Sequence, residues 1–157
     1  DPVVVDGKDE SVQQATELGV MRISPLLCDY SVARPRKKST RQHWEQEAIS
    51  ALKQSGNPFL PQLDRPREFA AVLADCRGTP MLFGDCRTGK KKRSAEAWAK
   101  RTEHVAVWIG PEGGFSDEEH EQLIAAGGQP VRAGPWTLRV ETAVVALIGW
   151  VRATQTE

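Results

Sequence analysis

Apolar positions along the chain fall into two alternating rhythms: short continuous runs, and longer stretches that repeat every three or four residues. The runs at 3–5, 22–27, 80–83, 104–109 (HVAVWI) and 130–133 have the length and bulk of buried strands. Helical spacing covers 10–18, which stops at Gly19. It returns at 40–54, where Trp44, Ala48, Ala51 and Leu52 share a stripe before Ser-Gly-Asn-Pro ends the helix. Further helices are expected at 67–74, briefly around Trp98, at 117–126 and at 140–151, the last nearly all apolar around Val144, Leu147 and Ile148. Residues 59–63 read as a short extended piece. Strand and helix in alternation predict an α/β fold, a mainly parallel sheet flanked by helices on both faces. No internal repeat or low-complexity tract breaks the pattern.

Chemistry gathers where strands meet helices. The segment IGPEGGFSDEE at 109–119 follows an apolar strand with three glycines and a proline. Ser116 and Glu119 then stand at capping-box spacing, and the acids at 117–119 suit the positive end of a helix. Such a junction turns main-chain amides toward a ligand at the edge of a parallel sheet, although a plain turn has the same composition. AGPWTLRVETA at 133–143 repeats the arrangement, with Glu141 favoured by the helix dipole and Arg139 disfavoured. An arginine held against the dipole is a candidate for ligand contact, its bland alternative being a surface ion pair. A third junction, LFGD at 82–85, would bring its turn to the same crevice. A pocket built this way offers backbone donors and acceptors between apolar walls, which suits a nucleoside-like cofactor better than a triphosphate. Residues 84–90 also fit GxxxxGK, but Lys91 stands where a magnesium-binding Ser or Thr belongs, so a phosphate loop is disfavoured.

Bulk properties narrow the class. With 157 residues, 39% hydrophobic and 27% charged, the chain is one globular domain with length enough for a core. No apolar run approaches a membrane span and no signal peptide opens the sequence. Cys28, Cys76 and Cys86 are widely spaced, lack a CxxC and read as reduced cytosolic thiols, so no metal is expected. The opening DPVVV reads as the middle of a strand, as if an upstream domain belonged before it. Net charge is zero, yet basic residues cluster at Arg34, Arg36, Lys37, Lys38 and Arg41, and again at Arg87, Lys90, Lys91, Lys92 and Arg93. Two such blocks suit phosphate contact, or simply solvated loops.

IGPEGGFS followed by AGPWTLRVETA resembles the signature of the SPOUT-superfamily methyltransferases that modify 16S ribosomal RNA at uridine N3. QQATELGVMRISPLL at 13–27 and AISALKQSGNPFLPQL at 48–63 resemble two further segments of that family, in order along nearly the whole chain. The resemblance implies a SPOUT-type fold with a C-terminal trefoil knot, S-adenosylmethionine as cofactor, a homodimer, cytoplasmic work on small-subunit ribosomal RNA, and an N-terminal RNA-binding barrel missing from this chain. It would set the cofactor against Leu82, Phe83 and Gly84, against Ile109, Gly110, Pro111, Gly113 and Gly114, and against Ala133, Gly134, Leu138, Arg139 and Thr142. The RNA would meet Arg34, Arg36, Lys37, Lys38, Arg41, Lys90 and Lys91.

In the mechanism this implies, a uridine N3 loses its proton and attacks the methyl group. Arg139 is expected to stabilise the charge on the base oxygens, with Glu141 or Glu112 as proton acceptor. The sequence departs from the family pattern at Gln14, Asp29-Tyr30, Asn57, Trp136 and Val140, positions that would face RNA or substrate rather than the glycine-built cofactor loops. Two alternatives stay open: another SPOUT enzyme acting on transfer RNA or a different ribosomal position, and a knot domain that binds RNA without catalysis.

Overall fold

The computed structural model describes residues 2–5, 9–31, 38–87 and 103–155. Its main sheet is built from β1 (Pro2–Val5), β2 (Arg22–Ile23), β4 (Gln62–Leu63), β6 (Met81–Gly84), β7 (Ala106–Ile109) and β8 (Gln129–Val131). They lie in the order β4-β2-β1-β7-β6-β8, every neighbouring pair parallel. The helices are α1 (Asp9–Glu17), α2 (Lys38–Ser55), α3 (Phe69–Asp75), α4 (Asp117–Ala125) and α5 (Val140–Gln155). The expected α/β architecture with a parallel sheet is therefore the observed one. The helix expected around Trp98 lies outside the described residues.

Alternation along the central strands divides the interior into two layers. Leu82, Val107 and Ile109 point to one side, where α1, α2 and α5 contribute Val12, Trp44, Val144 and Leu147. Met81, Phe83, Ala106 and Trp108 point to the other, covered by Phe69 and Val72 of α3 and Leu123 of α4. Because helices cover both faces, these strands read as continuous apolar runs, as β7 does with all four residues buried. The last helix also packs on the first, and Arg152 of α5 donates to the carbonyls of Leu18 (2.9 Å) and Gly19 just past α1.

One expected strand is two. Residues 22–27 break at Ser24-Pro25, and β3 (Leu26–Leu27) leaves the main sheet to pair with β5 (Arg67–Glu68). Pro25 has no N–H to continue a ladder, and its carbonyl accepts Arg67 N at 3.0 Å instead. The same pairing takes the first two residues of the helix expected at 67–74 into a strand. Ser24 is diverted by its hydroxyl, which donates to Asp64 Oδ2 alongside Arg22 Nε at 2.7 Å, while Gln62 Nε2 reaches Asp64 Oδ1 at 3.0 Å.

Burial alone would push the Asp64 carboxyl up, but the hydrogen bonds from Ser24, Arg22 and Gln62 outweigh it and hold the group below its ordinary value. A depressed folded value means the stabilisation is complete above the unfolded carboxyl's usual value of about 3.9. It is lost as pH falls through the lower folded value. Asp64→Asn is expected to flatten the acid side of the stability curve, measured as urea midpoints between pH 5 and pH 2. An unchanged slope would remove Asp64 as its source.

No helix among the described residues is long and apolar enough to cross a membrane.

Candidate functional site

The carboxyl ends of β6, β7 and β8 lie side by side, and the chain leaves each of them through a glycine-bearing loop. The three loops border one cleft of about 280 Å³. Its floor is apolar, with Ile109 at the end of β7 and the stripe Val140, Ala143 and Leu147 on α5. A cleft outside the carboxyl edge of a parallel sheet is the usual ligand position in this class of fold.

The loop after β7 is shaped by backbone demands. A Cβ on Gly110 would stand 3.2 Å from Gly114 C and from Phe115 N, so the loop folds back onto a residue with no side chain. Gly114 has φ +75°, a conformation that other residues adopt at a cost, and its N–H closes a turn to Pro111 O at 2.8 Å. Phe115 then anchors the loop in the second core layer, edge-on to Phe69 (6.0 Å) and Phe83 (6.3 Å).

Ser116 starts α4 with the expected capping box. Its hydroxyl accepts Glu119 N at 3.2 Å, and Ser116 N donates to Glu119 Oε2 at 2.9 Å. The box is extended by a distant turn. Asp29 N donates to the other carboxylate oxygen of Glu119 at 2.9 Å, and Ser116 Oγ donates to Asp29 Oδ2 at 2.6 Å. Tyr30 packs over Gly113, where a Cβ would come within 3.0 Å of the Tyr30 Cβ. The 28–31 turn is thereby locked to the glycine loop.

The β6 end carries charge. Asp85 N bonds Val131 O (3.0 Å), its Oδ1 accepts Arg87 N (2.9 Å), and its Oδ2 lies 2.9 Å from His120 Nε2. Side-chain exposure is 6% for Asp85 and 23% for His120, so the pair is largely sheltered on the cleft wall. Arg87 is committed to Asp117 (2.6 Å) and Phe115 O (2.9 Å). In the loop after β8, Arg132 donates to Gly134 O at 2.9 Å and Pro135 O at 2.5 Å. Among the described residues, the cleft arginines Arg87 and Arg132 are thus tied to protein partners while Asp85 and Glu112 line the same space, a poor setting for a polyphosphate. This agrees with the reading against a phosphate loop at 84–90, of which residues 88–90 lie outside the described residues.

Of the cofactor residues expected from sequence, Gly84, Ile109, Gly110, Pro111, Gly113, Gly114, Ala133, Gly134 and Leu138 line the cleft, and so does Glu112. Leu82 and Phe83 do not. Both are fully buried, and strand alternation sends them into opposite core layers beneath the loop. Thr142 lies two residues beyond Val140, about 200° round the helix, and is exposed away from the lining. Arg139 and Glu141 also stand outside it. The Arg139 side chain is 84% exposed and its guanidinium is 4.0 Å from Glu141, whose Oε2 is buried without a hydrogen-bond partner among the described residues.

Among the expected RNA contacts, Arg41 is exposed on α2 and pairs with Glu45 at 3.2 Å, and Lys38 begins that helix. Arg34, Arg36, Lys37, Lys90 and Lys91 lie outside the described residues. Sequence reasoning missed His120 as a cleft residue, while Asp85 and Trp136, which it placed in the loops after β6 and β8, do line the cleft. The available signal for His120 was its position four residues after the Ser116 cap, on the face of α4 that the cap presents.

Comparison with known proteins gives this geometry a family. A model of the RNA methyltransferase domain matches residues 5–152. A ribosomal RNA small subunit methyltransferase E from Aquifex aeolicus is 33% identical over 151 residues, covering 93% of this chain and 63% of the relative. The chain thus spans less than two thirds of that protein's length. A protein from Legionella pneumophila, solved in complex with S-adenosylmethionine, superposes with a TM-score of 0.87 at 27% identity, covering 98% of this chain and 66% of the other. A ribosomal RNA small subunit methyltransferase E from Neisseria gonorrhoeae, solved bound to S-adenosylmethionine, gives a TM-score of 0.81 at 26% identity, covering 98% and 65%.

Proposed function

The chain belongs to the RNA methyltransferase domain family, and from that premise we propose that it transfers the methyl group of S-adenosylmethionine to N3 of an unpaired uridine in small-subunit ribosomal RNA. The observation that carries this reading is the convergence of three glycine-bearing loops, after β6, β7 and β8, on one cleft with an apolar floor. The relatives named for small-subunit ribosomal RNA, from Aquifex aeolicus and Neisseria gonorrhoeae, supply the substrate class.

The residues present fit the cofactor. Gly114, with open space where a Cβ would stand, leaves room for a flat ring against backbone, Ile109, Val140 and Leu147 give it apolar contact, and the carboxylates of Asp85 and Glu112 favour a cationic ligand. Bound there, S-adenosylmethionine supplies an electrophilic methyl group on a sulfonium centre. The chain's own part is to orient the acceptor, exclude water and manage a proton and a charge. Arg139 neutralises the negative charge that spreads onto the uridine oxygens as N3 loses its proton, and Glu112 or Glu141 accepts that proton. The uridine must be unpaired or flipped, because its N3 lies on the pairing edge. Phosphates are held by the basic residues at 34–41 together with Lys90 and Lys91.

On this reading the protein works in the cytoplasm as a homodimer, with the segment after β8 threaded as a trefoil knot. The test is transfer of labelled methyl groups to small ribosomal subunits and to naked ribosomal RNA, followed by mass mapping of the product. The expected product is 3-methyluridine at a single position. Label in transfer RNA, or at another atom, would overturn the substrate assignment, and absence of cofactor binding by calorimetry would overturn the enzyme itself.

The cleft makes a narrower prediction. Gly110→Ala forces the loop to shift against its own backbone, so cofactor affinity should fall about tenfold, as expected of the roughly 1–3 kcal/mol that overpacking costs. Unaltered affinity in a calorimetric titration would mean the loop does not shape the binding site.

A further inference from the structure

We propose that Trp136 is a stacking platform for the nucleobase presented to the cleft, an inference that rests on the RNA-methylating role above. Trp136 lines the cleft and yet is 80% exposed, although an indole normally gains from burial. Its mount is held: the Arg132 guanidinium bridges the carbonyls of Gly134 and Pro135, the two residues immediately before it. Pro135 further fixes one backbone angle next to the indole. A second exposed aromatic, Tyr30, packs over Gly113 on the loop after β7, and Gly113 itself lines the cleft.

A ring serving a resident cofactor belongs among the enclosed residues of the floor, such as Ile109, Val140 and Leu147, which are 3% exposed or less. Trp136 instead stands outside that floor, where an incoming group arrives. A base taken out of a stack loses contact on both faces, and an indole replaces one of them. Every base has a flat π-face, so such a platform grips without selecting, leaving base identity to hydrogen bonds further in.

The experiment uses the protein and its Trp136→Ala and Trp136→Phe variants. It reads KM for ribosomal subunits, Kd for S-adenosylmethionine, and quenching of tryptophan fluorescence by a uridine-containing single-stranded oligonucleotide. In Trp136→Ala the RNA KM is expected to rise about tenfold or more, with cofactor Kd within twofold of wild type, and the oligonucleotide quenching should disappear. Trp136→Phe should recover most of the affinity. An unchanged RNA KM in Trp136→Ala overturns the proposal. So does a selective loss of cofactor affinity, which would give the indole to the cofactor's own adenine, or a loss of self-association alone, which would give it to a second copy of the chain. If the wild type methylates no RNA but quenching by the oligonucleotide still depends on Trp136, base binding stands and the enzymatic reading falls.

Discussion

Glu119→Ala is expected to lower stability by about 2–4 kcal/mol, because two main-chain donors lose their acceptor at once. Ser116 N and Asp29 N each use one oxygen of this buried carboxylate. For a domain of this size the midpoint of thermal unfolding should fall by about 10 °C. Glu119→Gln separates the causes. It keeps the shape and one acceptor but turns an NH₂ toward the second N–H, so its loss should be intermediate. The consequences extend to the cleft, because the same carboxylate joins the start of α4, the glycine loop and the 28–31 turn. Cofactor affinity should fall in Glu119→Ala even well below its melting temperature. Normal stability in this variant would mean that the cap and the turn are held by packing, not by the carboxylate.

That carboxylate also marks the boundary of what sequence reveals. The capping box was legible because Ser116 and Glu119 are three residues apart and the rule is local. The second use of Glu119 was not, since its partner Asp29 is 90 residues away. The same distinction runs through the site. Strands β6 and β7, the capped helix and the three loop junctions follow from periodicity and from glycine, so the cleft's walls could be placed in advance. The Asp85–His120 pair spans 35 residues and joins two elements whose register only the folded sheet fixes. Leu82 and Phe83 were expected at the cofactor because they adjoin Gly84, but neighbours on a strand point to opposite faces, and both went into the core. The break between β2 and β3 has a similar origin. Ser24 looks like a strand residue until Asp64, 40 residues on, claims its hydroxyl.

On the role proposed for Arg139, Arg139→Ala should reduce methyl transfer about 10²- to 10³-fold, the usual loss when a donor to developing charge is removed. Its backbone is fixed at the first turn of α5, where Arg139 O accepts Ala143 N at 2.9 Å. On either side Leu138 and Val140 line the cleft, while the guanidinium itself reaches into solvent. Exposure of that kind predicts little effect on folding, within about 0.5 kcal/mol. The variant therefore divides catalysis from stability, as Glu119→Ala cannot. Cofactor affinity should stay near wild type, because Arg139 is not among the residues that line the cleft. Arg139→Lys should recover only part of the rate: a lysine restores the charge but not the planar fork that can meet two acceptor atoms of a base. The decisive reading is single-turnover transfer at saturating cofactor and RNA. A rate near wild type there would leave the charge on the base to another group, with the Asp85–His120 pair the next to test.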